Sequence, residues 1–186
     1  MKHCGTQTLE TDRLILRRYT INDCDAMFRN WASDPEVTRF LTWPTHTSVD
    51  ATREVISSWL PHYSEDNYYH WTITLKENGD EPIGDIAVVR QNEESSMAHI
   101  GYSLGKKWWH QGIMSEALKA VMGFPFDRAG CEIIEARHDP DNPNSGKVML
   151  KCGMKFIGLK HDPDMKKQGA NNACFYSLHK SERLRR

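Results

Sequence analysis

The chain of 186 residues has no long apolar run, no paired cysteines and almost no net charge. Its apolar runs are only a few residues long, too short to cross a bilayer, and residues 1–5 carry no apolar signal stretch. The five cysteines are scattered and never spaced Cys-x-x-Cys, which argues against a disulfide framework or a zinc site. A formal net charge of -1 gives no overall attraction to nucleic acid or an anionic membrane. These absences predict a protein of a reducing, cytoplasmic compartment.

What is present is the composition of a folded domain. Charged residues make up 26% and hydrophobic residues 39%, too balanced for a disordered chain. The length suits one domain with a sizeable core, and no repeat or linker divides it. The histidines and acidic residues show no metal-ligand spacing, so we expect no metal site.

Local patterns predict strands and helices in mixed order. Short turns join three consecutive strand-like runs, which implies an antiparallel meander, and a helix then separates its last strand from another strand. The predicted strands cover residues 14–16, 70–75, 83–89, 97–104, 133–138, 156–159 and 173–178. The predicted helices start after Asn22-Asp23, after Ser48, after Gly112 and after the polar turn 139–145.

The most informative stretch joins the strand ending at Leu104 to the helix that follows Gly112. A helix N-terminus leaves backbone N–H groups unpaired and carries a partial positive charge, so it binds anions well. Gly112 lets backbone approach a phosphate without a Cβ in the way. A strand–glycine–helix turn is also an ordinary connection, and from the residues alone both interpretations stand.

Three segments of the chain stand out together and in order. They are TLETDRLILRRYTINDCDAMFRNWASDPEV, IGYSLGKKWWHQGIMSEALKAV and ARHDPDNPNSGKVMLKCGMKFIG. They resemble the GNAT acetyltransferase superfamily and its ribosomal-protein N-acetyltransferase (RimJ/RimL) branch. Against the superfamily signature Gln/Arg-x-x-Gly-x-Gly/Ala, Trp109 and Met114 depart and only Gly112 fits. The resemblance covers nearly the whole chain, with a single domain at residues 8–180 and terminal tails at 1–7 and 181–186.

The resemblance implies an α/β fold with a mixed, mostly antiparallel, twisted sheet, flanked by helices and splayed near Leu104 at a cleft for acetyl-CoA. The strand would pair with the pantetheine arm and the turn would hold the diphosphate. Ser115, Asn142 and Ser145 have an alternative role as helix caps, and for Glu116 we favour capping. The implied cofactor-binding residues are Ser103, Leu104, His110, Gln111, Gly112, Ile113, Met114, Ser115, Asn142 and Ser145.

Catalytic residues follow from the same resemblance. His99 occupies the place where many relatives resemble a glutamate general base, and imidazole can accept a proton near neutral pH. The alternative is a half-exposed strand histidine without a catalytic role. The usual tyrosine acid is replaced by Met149, which leaves Ser145, or water, to protonate the thiolate. Trp43 is the candidate for the acceptor pocket.

The resulting hypothesis is an acetyl-CoA-dependent N-acetyltransferase that joins both substrates in a ternary complex for direct attack. A protein or peptide N-terminal α-amine is the first acceptor class, because its pKa near ~8 needs less help than lysine near ~10.4. A small amine, such as an amino acid, polyamine or drug, is the alternative. A non-catalytic acyl-CoA-binding sensor or scaffold is the rival of another class. We expect no nucleic-acid or membrane partner, and a homodimer is left open.

Overall fold

Eight strands form one sheet, in a computed structural model that describes residues 1–164 and 172–183. The strands are β1 (Leu9–Glu10), β2 (Leu14–Arg17), β3 (His70–Leu75), β4 (Pro82–Asn92), β5 (Met97–Leu104), β6 (Ile133–His138), β7 (Lys155–His161) and β8 (Asn172–His179). Their order across the sheet is β1-β2-β3-β4-β5-β6-β8-β7. All neighbours are antiparallel except β5 and β6. The predicted mixed, mostly antiparallel α/β fold is therefore confirmed, including the meander β3-β4-β5.

Helices flank this sheet. Capping follows the local sequence: Ser48 accepts a hydrogen bond from the backbone of Ala51. At the first helical segment Thr20 is the N-cap, and the predicted capping residue Asp23 forms a capping box with it, whereas Asn22 lies inside the turn without that role. The α-helices are α1 (Cys24–Met27), α2 (Pro35–Thr38), α3 (Val49–Trp59), α4 (Ile113–Phe124), α5 (Pro143–Lys151) and α6 (Lys180–Arg183). No helix within residues 1–164 and 172–183 is both long and apolar enough to span a membrane.

The two faces of the sheet differ in chemistry. Helices α4 and α5 pack on an apolar face, where strand and helix side chains form the main core. On the other face, a second cluster joins the N-terminal helices through Met27, Trp31 and Ile56. Because side chains alternate along each strand, the residues between the core positions point to this second face. Several of these are polar and buried, namely His70, Thr72, His99 and Ser103.

The central parallel pair stays together for only half of its length. Residues 97–100 of β5 pair with residues 133–136 of β6, and no pairing between these strands continues beyond Ile100 and Ala136. β5 goes on along β4 to Leu104, while β6 goes on along β8 to His138. The two strands therefore part from Gly101 onward, which is the splay expected near Leu104.

The N-terminal residues 1–7, expected to form a tail, pack on the sheet instead. The backbone N–H of Lys2 donates to Ala129, that of Gly5 donates to Asp66, and Thr6 is buried. At the other end, residues 180–183 form α6, so only 184–186 of the second expected tail lie outside the described residues.

Gly84 marks the closest approach between β4 and β5. A Cβ at this position would lie 2.5 Å from the carbonyl oxygen of Ser103, closer than real Cβ atoms come. The β3–β4 register also shifts opposite Gly84, between Ile73 and Thr74. A glycine inside a strand allows such a close backbone approach, and the register shift beside it has the character of a bulge.

Gly84→Ala is therefore expected to lower the free energy of unfolding by about 1–3 kcal/mol, because the backbone of β5 must shift. Gly101→Ala is the matched control, since its Cβ would meet only the exposed side chain of Val89, at 3.1 Å. Urea denaturation of both variants measures the difference. Equal losses in the two proteins would contradict the proposed backbone conflict.

Candidate active site

The turn before α4 has the backbone geometry of an anion site. Gly112 is the N-cap in a left-handed conformation, with φ of 76°, and His110 is also left-handed, with φ of 61°. The side chains of Ile113 and Met114 are buried in the core, so these residues offer only backbone N–H groups to a ligand. The helix N-terminus adds its partial positive charge. The cofactor turn predicted at residues 110–115 is thus formed as a cradle.

Two cations flank this turn, and the sequence analysis missed both. A Cβ on Gly112 would lie 3.6 Å from Nζ of Lys151 and 3.7 Å from Nη2 of Arg13. Arg13 also donates through Nη1 to the carbonyl of Gln111, at 3.1 Å, which fixes the turn. Lysine and arginine at a helix N-terminus strengthen a phosphate site. No local signal could reveal them, because Arg13 directly precedes β2 and Lys151 ends α5, both far from the turn in sequence.

Glu116 ties α4 to the N-terminal segment rather than capping its own helix. Its carboxylate accepts hydrogen bonds from Oγ1 of Thr11, at 2.5 Å, and from the backbone and Nε of Arg13, at 3.0 and 2.7 Å. These bonds lower the pKa of Glu116 against the opposing effect of burial. The capping favoured for this residue is therefore wrong, and Ser115 beside it is buried at the start of the helix.

The end of β5 is partly occupied by the protein itself. The carbonyl of Leu104 accepts a hydrogen bond from the indole Nε1 of Trp109, at 2.7 Å. The hydroxyl of Ser103 donates to the carboxylate of Asp85 on β4. A ligand that pairs with this strand would have to rely more on the backbone of residues 101–103 than on the carbonyl of Leu104.

Asn142 and Ser145 lie at the start of α5, directly after β6. Asn142 is the N-cap by position, but its side chain makes no capping hydrogen bond. Ser145 Oγ lies 2.8 Å from the hydroxyl of Tyr102, which also donates to the Ser145 carbonyl at 3.1 Å. This contact bridges the gap between the parting strands. Burial raises the pKa of Tyr102, so this hydroxyl keeps its proton near neutral pH.

His99 is buried on the polar face, only 2% exposed, which corrects the half-exposed alternative. Its Nδ1 lies 3.9 Å from Oε2 of Glu135, too far for a direct hydrogen bond, and Phe175 packs edge-on at 6.1 Å. Burial lowers the pKa of His99, and the charges of Arg137 and Arg90 lower it further, against the opposing effect of Glu135. The imidazole is therefore neutral at pH 7.

A second group of polar residues on this face was not found from the sequence. His70 Nε2 lies 3.1 Å from Oδ2 of Asp85, and His70 Nδ1 lies 3.1 Å from the hydroxyl of Tyr68. Asp85 stands directly across β4–β5 from Ser103. The sequence does show Asp85 as a lone carboxylate within the otherwise apolar run 83–88. Its partners depend on the strand register, which the sequence alone does not give.

Trp43, the candidate for the acceptor pocket, packs in the helical layer. It is half-buried against the second cluster, with its ring 5.1 Å from that of His46. The ring thus belongs at least partly to the packing of the N-terminal helices, and its contact with an acceptor stays a prediction.

Comparison with known proteins identifies the family. The Acetyltransferase (GNAT) domain matches residues 13–155. The chain is 32% identical over 176 residues to the uncharacterized N-acetyltransferase p20 of Bacillus licheniformis, covering 95% of this chain and 98% of that protein. It is 27% identical over 163 residues to the ribosomal protein uS5-alanine N-acetyltransferase of Escherichia coli, covering 83% and 81%.

The chain therefore belongs to the GNAT acetyltransferase family and is an acyltransferase. Its fold agrees with that of RimL, a ribosomal L7/L12 alpha-N-protein acetyltransferase solved in complex with coenzyme A. The TM-score is 0.81 at 20% identity, over 93% of this chain and 98% of that chain. The expected RimJ/RimL-like branch is confirmed.

The lowered pKa of His99 predicts a pH-dependent stability. Below about pH 6.5, the usual value for histidine, the unfolded chain takes up the proton first, so stability falls as the pH falls. His99→Gln removes this proton uptake. Between about pH 7.5 and pH 5.5, we expect the wild type to lose about 1 kcal/mol more than the variant. Urea denaturation at both pH values tests this, and parallel losses would contradict it.

Proposed function

We propose that this protein is an acetyl-CoA-dependent N-acetyltransferase that acetylates a protein or peptide N-terminal α-amine by direct attack in a ternary complex. The observation that carries the proposal is the parting of β5 from β6 immediately before the left-handed turn at Gly112. The unpaired edge of β5 is followed along the chain by the anion cradle at Gly112. Acetyl-CoA needs the two in this arrangement, since its extended pantetheine arm leads from the thioester to the diphosphate.

The residues present fit acetyl-CoA. The cradle at Gly112 leaves room where any other residue would place a Cβ, and Lys151 and Arg13 stand at its rim to balance a diphosphate. Its backbone donors would come from His110, Gln111, Ile113, Met114 and Ser115. The side chain of Asn142 makes no capping hydrogen bond, so it is free to bond amide groups of a cofactor that lies between β5 and β6. When bound, the thioester supplies the activated acetyl group.

Departure of the thiolate needs a proton, and Ser145 is the proposed donor. Its hydroxyl lies 2.8 Å from that of Tyr102, whose pKa burial raises, so the pair holds protons at neutral pH. Met149, in the usual tyrosine position, is buried and carries no proton to give. A thiolate leaving group with a pKa near ~8.5 needs little assistance, so one hydroxyl suffices.

The proposed acceptor class is supported by the pKa of α-amines and by the names of similar proteins. An α-amine is easier to deprotonate than a lysine side chain. Two similar proteins, the ribosomal protein uS5-alanine N-acetyltransferase and RimL, have names that specify a protein acceptor. His99, the base that the resemblance implies, has a neutral imidazole that can accept a proton, but it is too buried for direct contact with a peptide and would act through water. A cytoplasmic location goes with this proposal.

Gly112→Val tests the cofactor site. The side chain would fill the cradle, so we expect calorimetry to show more than tenfold weaker binding of coenzyme A, above about 1.4 kcal/mol. Gly130→Val is the matched control: its φ of 70° imposes a similar backbone strain, but nothing lies within 4 Å of the added Cβ. If both variants bind coenzyme A like the wild type, the cradle is not the diphosphate site.

A thiol-release assay tests the acceptor. We expect the wild type to release free coenzyme A with a peptide that begins with a free alanine. The same peptide with a blocked N-terminus and an internal lysine is the control, and it should be inert because its only amine is too basic. Faster release with spermidine would favour a small-amine acceptor instead. Binding of acetyl-CoA without release for any amine would favour the non-catalytic scaffold.

A further inference from the structure

Asp85 occupies the centre of the polar sheet face, in an arrangement that packing alone does not require. Its carboxylate is 15% exposed and accepts a hydrogen bond from Ser103, while His70 Nε2 stands 3.1 Å from its other oxygen. His70 contacts the hydroxyl of Tyr68 on its far side, and Tyr68 is half-buried. A chain of proton-carrying groups thus leads from Asp85 to a more exposed hydroxyl.

Aromatic rings enclose this chain on the helical side. The ring of Trp59 lies 4.4 Å from that of His70, and the ring of Tyr19 lies 5.1 Å from it. Tyr19 is 3% exposed, and its hydroxyl has no hydrogen-bond partner among the described residues. Burial, together with the nearby charge of Asp85, raises the pKa of Tyr19. A buried phenol oxygen without a partner, close to a carboxylate, is costly unless something binds there.

The position of the group relates it to the acyl site. Ser103 belongs to the part of β5 that has left β6, and Asp85 is its direct partner across the sheet. The next residue pair on this face of β4 and β5 is Ala87 with Gly101, and both residues are only half-buried. Small residues therefore leave the polar face open beside Asp85, where the backbone of residues 101–103 is available to the thioester.

We propose that Asp85 binds the ammonium group of the acceptor and, with His70, takes its proton, while Tyr19 and Trp59 form the wall of the amine site. The inference rests on the proposed function and names the residues of its acceptor site. An ammonium group would donate to the carboxylate and to the unpartnered oxygen of Tyr19, and aromatic faces attract such a cation. The acceptor class is accordingly a primary amine that arrives protonated.

The proton balance of the step is complete. The ammonium loses one proton to the Asp85–His70 pair, and this proton leaves through the hydroxyl of Tyr68. The neutral nitrogen forms the bond to the carbonyl carbon, and the carbon–sulfur bond breaks. Ser145 donates its proton to the departing thiolate, and the second proton that the nitrogen loses replaces it on Ser145. The sum is ammonium plus thioester giving amide, thiol and one released proton. Asp85 is then the catalytic residue that receives the proton, and His70 carries it on to Tyr68.

Tyr19→Phe is the first test, because it removes only a hydroxyl that bonds nothing within the described structure. We expect an unchanged unfolding midpoint, with a KM for the alanine peptide about fivefold higher and a similar kcat. Asp85→Asn should lower kcat/KM by about a hundredfold or more. Asp80→Asn is the matched carboxylate control, since within residues 1–164 and 172–183 this exposed carboxylate pairs with Arg17, which keeps its bond to Asp23.

Two further readouts separate binding from folding. Calorimetry of the alanine peptide with each protein–coenzyme A complex should show at least tenfold weaker binding for Asp85→Asn, with coenzyme A affinity retained. O-methylhydroxylamine, which is unprotonated at neutral pH, should be acetylated by Asp85→Asn at nearly the wild-type rate. His99→Gln should lower kcat less than Asp85→Asn does, because the amine proton is assigned to Asp85 rather than to His99.

The outcomes distinguish this inference from the proposed function. A wild type that releases no thiol with any amine defeats the proposed function itself. An active wild type whose Tyr19→Phe and Asp85→Asn variants keep their peptide KM and kcat overturns the assignment of the amine site. A hundredfold loss in His99→Gln alone, with Asp85→Asn unaffected, overturns it as well and moves the proton acceptor to His99.

Discussion

The separation of β5 from β6 is the constraint on which the rest of the site depends. Four residue pairs hold the strands together, and then each continues with a different neighbour, β4 on one side and β8 on the other. An interior strand in a sheet normally has no free backbone edge. Here an edge opens inside the sheet, and both Tyr102 and the start of α5 lie at this opening.

The polar and apolar faces of the sheet have different roles. The apolar face packs on α4 and supplies most of the burial that stabilises the fold. The other face buries charges in pairs, such as Arg17 with Asp23, at 2.8 Å, and Arg137 with Asp162. Replacing buried ion pairs by apolar residues is often neutral or even stabilising, so such pairs add little to stability. Together with burial, the charge of Arg137 lowers the pKa of His99, so this face influences protonation as well as stability.

Much of the backbone could be predicted because its signals are local. Strand-like runs joined by short turns marked the meander β3-β4-β5, and Gly112 marked the turn before α4. The candidate site could be predicted only where backbone groups form it. Arg13 and Lys151 reach the turn from distant elements, and Asp85 meets His70 only in a register that contains a bulge. The burial of His99 likewise depends on Phe175 of β8, which no local pattern places there.

Arg13 has a place in two interactions at once. Its guanidinium pairs with Glu116, at 2.7 Å, and also stands at the rim of the Gly112 turn. A phosphate at that rim would compete with a fixed carboxylate for one cation. If a phosphate binds there, as proposed, its binding and the anchoring of the segment that leads into β2 are linked equilibria, and each changes the other by the same free energy. Binding of an anion at the turn that follows the central strand β5 would thereby change how firmly the segment before β2, near the edge of the sheet, is held.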